Sequence, residues 1–274
     1  DDDRSHVDAL YFGSTTMPFR DRLNSGIIAA ALTLEETVRA VDVASTQRAG
    51  TSALLQAITA VKAGEARHAL VLASDHRKAR AASAQELDFG DGAAAVSVGS
   101  DNVIARYLGG ASLTVDFVDH FRGETEEFDY NWEERWIRDE GYSKIVPRAV
   151  KAALANANVK AEEIGHFVLP CTFGVKFVEQ LARRSGIAPE AARDTLAANC
   201  GETGAAHSLV MLVHTLQKDA KPGDKVMVLH FGGGCDALVF EVTDRIADMA
   251  GKRGITGSLA QRQEETNYLK FLTF

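Results

Sequence analysis

The chain has 274 residues, 46% hydrophobic and 25% charged, which is enough apolar material for a large core and too much for a disordered chain. Its net charge of -8 lacks the basic stripe of a phosphate-backbone binder, no apolar run approaches the roughly 20 residues of a membrane span, and nothing resembles a signal peptide. Nucleic acid and membrane are therefore excluded as main partners, and a cytoplasmic location is expected.

Periodic apolar runs bounded by glycine predict, in chain order, a strand over 7–13, a helix over 24–32, a strand over 38–43, a helix over 49–63, a strand over 68–74 and a strand pair through 93–108. The stretch 119–141 differs in character, mixing aromatic with acidic residues and holding both tryptophans. It reads either as a surface insertion whose aromatics are pinned to the body or as a flap facing substrate or partner. Helices over 143–157 and 174–186 flank a strand over 165–169, and a short helix over 189–197, a helix over 204–217 and strands Lys225 to His230 and Ala237 to Val242 close the chain. The units are 1–118, the insertion 119–141, a second half 142–246 and a tail 247–274. Asp1 in place of methionine and the apolar, aromatic last residues make both ends look cut from something longer. The odd cysteine count, Cys171, Cys200 and Cys235, fits neither a disulfide framework nor a zinc ribbon, so free thiols and no metal site are expected.

The sequence says the same thing twice. A small-residue helix from Gly50 runs into a strand, then Phe89-Gly90-Asp91-Gly92 and another strand; a second helix from Gly204 runs into a strand, then Phe231-Gly232-Gly233-Gly234 and another strand. Two such copies imply two similar αβ halves, helices on both faces of their sheets, and a site at the junction.

The segment Asp42-Val-Ala-Ser-Thr-Gln-Arg-Ala-Gly-Thr-Ser-Ala-Leu resembles the nucleophile segment of the thiolase superfamily. It is most similar to the hydroxymethylglutaryl-CoA synthase branch of archaeal type, and beyond that to the ketoacyl synthase III enzymes. Phe89-Gly-Asp-Gly-Ala-Ala-Ala-Val, Asn199-Cys-Gly-Glu-Thr-Gly-Ala-Ala, and Lys221-Pro-Gly-Asp-Lys-Val through Phe231-Gly-Gly-Gly resemble later motifs of that family in the same order. The resemblance implies an α/β, thiolase-like fold of two pseudo-repeated halves in five layers, αβαβα, with the family's first strand–helix unit missing. It also implies an acyl-CoA substrate with no separate cofactor. The implied assembly is a homodimer, or a heteromer with a thiolase-fold or zinc-ribbon/OB-fold protein.

The chemistry departs from the family. Counting back from Ala49-Gly50-Thr51 places Gln47 where the resemblance puts the cysteine nucleophile, and an amide cannot carry an acyl group. Pro170, or Cys171 with a one-residue slip, stands in the histidine position, and Glu202 replaces the asparagine. Gly233 is the candidate oxyanion donor, because the family uses this turn so and glycine lets the backbone approach closely. His230, two residues before the triple glycine, is a candidate general acid or base, or a strand-end histidine held in the core. Glu202 serves as a base or caps the helix from Gly204, and Cys171 is a relocated nucleophile or a buried thiol. Arg48 holds a carboxylate or phosphate or a surface ion pair, and His207 supports the site or the fold.

The resulting expectation is a thiolase-fold acyltransferase or C–C lyase that forms or cleaves the bond next to a CoA thioester without a cysteine-bound intermediate. A retro-aldol or non-covalent Claisen-type step needs only a base and a stabilised enolate. Decarboxylation is a further possibility, weakened by the missing histidine. The competing reading is a non-catalytic subunit of an acyltransferase complex. The polar residues Gln47, Glu202 and His230, costly to bury unpaired, weigh against simple decay.

Overall fold

The computed structural model describes residues 4–273. The first half runs β1 (Ala9–Gly13), α1 (Asn24–Ala31), β2 (Arg39–Val43), α2 (Ala49–Lys62), β3 (His68–Asp75), α3 (Ala84–Asp88) and β4 (Gly92–Gly99). Then follow β5 (Ala105–Thr114), the small hairpin β6 (His120–Phe121) and β7 (Tyr130–Asn131), α4 (Glu134–Trp136) and, after a π-helical turn Ile137–Tyr142, α5 (Ser143–Ala157). The second half continues with β8 (Ile164–Val168), α6 (Val175–Arg184), α7 (Ala197–Cys200), α8 (His207–Lys218), β9 (Lys225–Phe231) and β10 (Gly234–Val242). Two short helices, α9 (Gly254–Ala260) and α10 (Tyr268–Phe271), end the described chain.

Two four-stranded sheets form, in the orders β2-β1-β3-β4 and β5-β10-β9-β8. The duplication is visible in their pairing. β1 runs parallel to β3 and β3 antiparallel to β4, just as β8 runs parallel to β9 and β9 antiparallel to β10. The sheets differ in what flanks this shared trio: β2 lies beyond β1, whereas β5 lies beyond β10.

Strand alternation assigns each face. In β9, Val226 and Val228 join the core between the sheets, while Met227, Leu229 and Phe231 join the core beneath α5 and α6. In β1, Ala9 and Tyr11 face the central core while Leu10 and Phe12 pack with Ala29 of α1. Strands covered on both sides must be apolar at every position, which is why β9 and β10 are nearly continuous hydrophobic runs. The layers are α1, the first sheet, α2 with α8, the second sheet, and α5 with α6. Each fully buried leucine or phenylalanine in these cores stabilises the fold by roughly 1.5–3 kcal/mol.

The central helices meet through small residues. A Cβ on Gly50 would collide with the Ala205 carbonyl oxygen and lie 3.1 Å from Ala73 Cβ, so only glycine lets α2 and the turn before α8 come together. Gly90 approaches the Cys200 carbonyl in the same way, beside a parallel bridge between Phe89 and Glu202 that ties the motif loops of the halves.

Three expectations need correction. The strand pair over 93–108 is not a pair: β4 joins β3, and β5 joins β10 in the other sheet. Consequently the boundary between halves falls in the short link between β4 and β5, not at 118, because the whole length of β5 is hydrogen-bonded to β10. The short helix over 189–197 is instead a 3-10 turn at Pro189–Ala191, an extended stretch and α7, with Ala192 bridging to Phe167. Among the described residues no helix is long and apolar enough to cross a membrane.

Candidate active site at the junction of the halves

A cavity of about 470 Å³ opens where the motif loops meet. Gln47, Arg77 and Phe89 reach it from the first half, Pro170, Cys171, Glu202 and His230 from the second, and Asp119, His120, Trp132 and Tyr142 from the segment between them. The junction is where the duplicated sequence points. The side chains there have different fates.

Gln47 lies two residues before α2 begins, half-buried, with its amide Nε2 3.2 Å from His120 Nε2. His120 Nδ1 is 3.0 Å from Asp119 Oδ2. The carboxylate accepts the Nδ1–H, which leaves Nε2 as the acceptor for the Gln47 amide.

Glu202 is buried and pairs with the Arg77 guanidinium, while its Oε1 accepts the Gly204 N–H at 2.8 Å. Arg77 is itself buried, stacks on the Phe89 ring at 3.7 Å and faces Asp129 at 3.7 Å. Burial pushes its pKa down, and Asp129 and Asp75 oppose that shift. Glu202 is thus committed to structure on both sides. The cap reading accounts for its geometry, and the base role loses its free oxygen.

His207 has no nitrogen left for substrate. Its Nδ1 accepts the Thr203 N–H at 2.8 Å and its Nε2–H donates to the Thr195 carbonyl at 2.7 Å, so it is locked as a neutral imidazole. Burial pushes its pKa down to about 4. His230 is also buried, with Nδ1 3.0 Å from Ser208 Oγ, and burial reinforced by His207, Arg77 and Arg48 lowers its pKa to about 3. A histidine so depressed carries no proton to give near neutrality, so it is not a general acid. Ser208 Oγ and Nδ1 share this hydrogen bond, and the ring lines the cavity.

The Arg48 binding expectation and the relocated nucleophile are also corrected. Arg48 does not wait for a carboxylate or phosphate: it donates to Asp236 Oδ1 at 2.7 Å, to the Gly232 carbonyl at 3.0 Å and to Thr114 Oγ1 at 3.2 Å. Gly233 has φ +57° and belongs to the turn that packs against Gln47, where a Cβ on Gly232 would lie 3.3 Å from the Gln47 Cβ. Its turn buttresses the Gln47 loop from behind, with Thr46 Oγ1 donating to the Gly232 carbonyl at 2.9 Å. Cys171 sits on the wall within the apolar core, and burial pushes its thiol up to about 12, far from a thiolate.

Sequence reasoning missed Arg77, Tyr142 and the Asp119–His120 pair. Tyr142 ends the π-helical turn and stacks on Phe231 at 4.2 Å, and such turns recur at functional sites. The only signal for the pair was an Asp-His dipeptide at the head of the odd segment. That segment is pinned: Arg122 bonds Asp129 at 2.6 Å and the Thr15 carbonyl, Lys78 pairs with Glu127 at 2.7 Å, and Trp136 stacks with Phe117 at 5.9 Å. Among the described residues no cluster of His, Cys, Asp and Glu is arranged to hold a metal.

Residues 154–241 match the family described as 3-oxoacyl-[acyl-carrier-protein (ACP)] synthase III C terminal. A solved structure of MvaS in complex with 3-hydroxy-3-methylglutaryl coenzyme A superposes with a TM-score of 0.83 at 17% identity, over 99% of this chain and 76% of that one. The synthase III of Thermus thermophilus superposes with a TM-score of 0.76 at 19% identity, over 86% of this chain and 77% of that one. The fold is therefore thiolase-like, of the kind these condensing enzymes share. In sequence, the chain is similar to hydroxymethylglutaryl-CoA synthases: that of Methanosphaera stadtmanae is 27% identical over 275 residues, covering 99% of this chain and 78% of the relative.

Proposed function

We propose that the chain acts on acyl-CoA thioesters, making or breaking the carbon–carbon bond next to the thioester carbonyl with no acyl group carried on cysteine. The observation that carries this reading is at the cavity itself. An amide, Gln47, stands before α2 at the position that resembles the family's nucleophile, while the sole lining cysteine, Cys171, is held as a thiol by burial.

In the cleavage direction a base takes the proton of a 3-hydroxyl, the carbon–carbon bond breaks, and its electron pair becomes the enolate of the departing thioester. The enolate oxygen needs aimed donors in a site shielded from water. We assign these donors to the Gln47 amide and to His230 in its Nε2–H tautomer, both residues lining the cavity. The names of the relatives supply the first probe, 3-hydroxy-3-methylglutaryl-CoA.

The test is turnover with intact-mass analysis. The protein is incubated with this thioester, and separately with acetyl-CoA, and products and protein mass are followed together. Turnover without an acyl adduct is expected. A stoichiometric acyl adduct on Cys171 overturns the non-covalent route; no turnover, with tight binding to a second thiolase-fold chain, points to the silent-subunit reading instead.

A further inference from the structure

We infer that His120, oriented by Asp119, is the acid–base residue of this cavity, and that the 119–131 segment is an integral part of the site. The inference rests on the thioester reading above and names the group that moves its proton.

Geometry comes first. Asp119 Oδ2 and His120 Nδ1 are 3.0 Å apart, His120 Nε2 and the Gln47 amide are 3.2 Å apart, and all three residues line the cavity. The Asp119 and His120 side chains are 13% and 19% exposed, sheltered yet reachable. The carboxylate holds one tautomer, so the basic lone pair of Nε2 points at the amide that stands where a covalent nucleophile would be. A carboxylate–imidazole pair aimed at the reacting position is what a proton-transfer step requires.

The surroundings hold that aim. His120 pairs in register with Asn131 across the β6–β7 hairpin, and the Trp132 N–H donates to the Asp119 carbonyl at 2.8 Å. Arg122, next in the chain but one, is locked to Asp129 and the Thr15 carbonyl. Two other candidates are engaged elsewhere, His207 having both nitrogens bonded and Glu202 being paired with Arg77, while His230 lines the cavity without a carboxylate partner to orient it as Asp119 orients His120.

The step balances without an added reagent. In the condensation direction Nε2 accepts a proton from the carbon next to the thioester carbonyl. The C–H electron pair forms the enolate double bond as the carbonyl π pair moves to oxygen, where Gln47 and His230 donate. After the new carbon–carbon bond forms, the imidazolium, balanced by Asp119, returns its proton to the resulting alkoxide. In cleavage the same atom takes the hydroxyl proton and delivers it to the enolate carbon. Asp119 acts through His120 and is a positioning residue.

The experiment is hydrogen exchange of the acetyl-CoA methyl group in D₂O, followed by NMR, beside cleavage of 3-hydroxy-3-methylglutaryl-CoA. The wild type should catalyse both, and H120Q should lose roughly 10²-fold or more in exchange rate with acetyl-CoA affinity unchanged. In H120A, added imidazole should restore part of the exchange, which a purely structural role of the side chain does not allow. D119N should lower kcat with little change in KM, and D119E should recover part of it. Thermal melting of each variant separates loss of the base from loss of the hairpin. Wild-type exchange that persists in H120Q, or H120A that is folded and not rescued, overturns the role of His120 and leaves the thioester reading standing. A wild type inactive in both assays overturns that reading, and this inference with it.

Discussion

Stability should fall steeply between pH 6.5 and pH 4, for a reason set by two buried histidines. His207 and His230 are 1% and 2% exposed, and burial lowers their pKa values to about 4 and about 3. The unfolded chain binds these protons at about 6.5, so each group contributes its full stability above that value and loses it as pH falls toward the folded values. At pH 5 each histidine costs about 2 kcal/mol relative to pH 8, about 4 kcal/mol for the pair, with a slope near about 2.5 kcal/mol per pH unit. His214, lowered by burial and by Lys218, adds in the same sense, whereas Asp88, raised by burial and by Glu134, opposes it. Asp8, Asp42 and Asp224 have lowered carboxyl pKa values in the fold, so their contributions are complete above about pH 5 and are lost progressively below it. Urea unfolding at pH 8, 7, 6 and 5 reads the slope directly, and H230N should remove about half of it. A midpoint that stays flat from pH 7 to pH 5, or a slope unchanged in H230N, would refute the assignment of buried neutral imidazoles.

Two further perturbations test the junction. Gly50→Ala drives a Cβ against the Ala205 backbone carbonyl, which cannot rotate away, so an overpacking cost of about 1–3 kcal/mol outweighs alanine's helix preference of about 1 kcal/mol. The melting temperature should drop, whereas Gly165→Ala, whose nearest neighbour is the Lys225 carbonyl at 3.9 Å, should not lower it. A G50A chain as stable as wild type would contradict the close approach of the central helices. Asp236 is fully buried and accepts from Arg48 and Ser112 at 2.7 Å, Ser52 at 2.8 Å and Thr51 at 2.9 Å. Asp236→Ala should therefore cost about 3–5 kcal/mol in urea unfolding, because it leaves the Arg48 guanidinium without its charge partner. Ser112→Ala should cost only about 1 kcal/mol.

The repeated layering is legible in the sequence alone because it is written in local patterns. β9 and β10 are apolar at nearly every position since both of their faces are covered, and the Gly50 and Gly204 segments are small because helices must touch there. The motif order brought Gln47, Cys171, Glu202 and His230 to one cavity for the same reason: each lies at the end of a strand or the start of a helix, and those ends converge at the junction. Partner choice was decided elsewhere. Whether Arg48 is free depends on Asp236, whether His207 is free depends on Thr195 and Thr203, and what the Gln47 amide meets depends on His120, residues that no local pattern connects. The same holds for β5, whose sequence reads as the second strand of a hairpin but whose hydrogen bonds are taken by β10 in the opposite sheet. A strand or helix announces itself through the period of its own side chains; the chemistry of a buried polar group is set by whichever distant group satisfies it, and only the packed chain determines which that is.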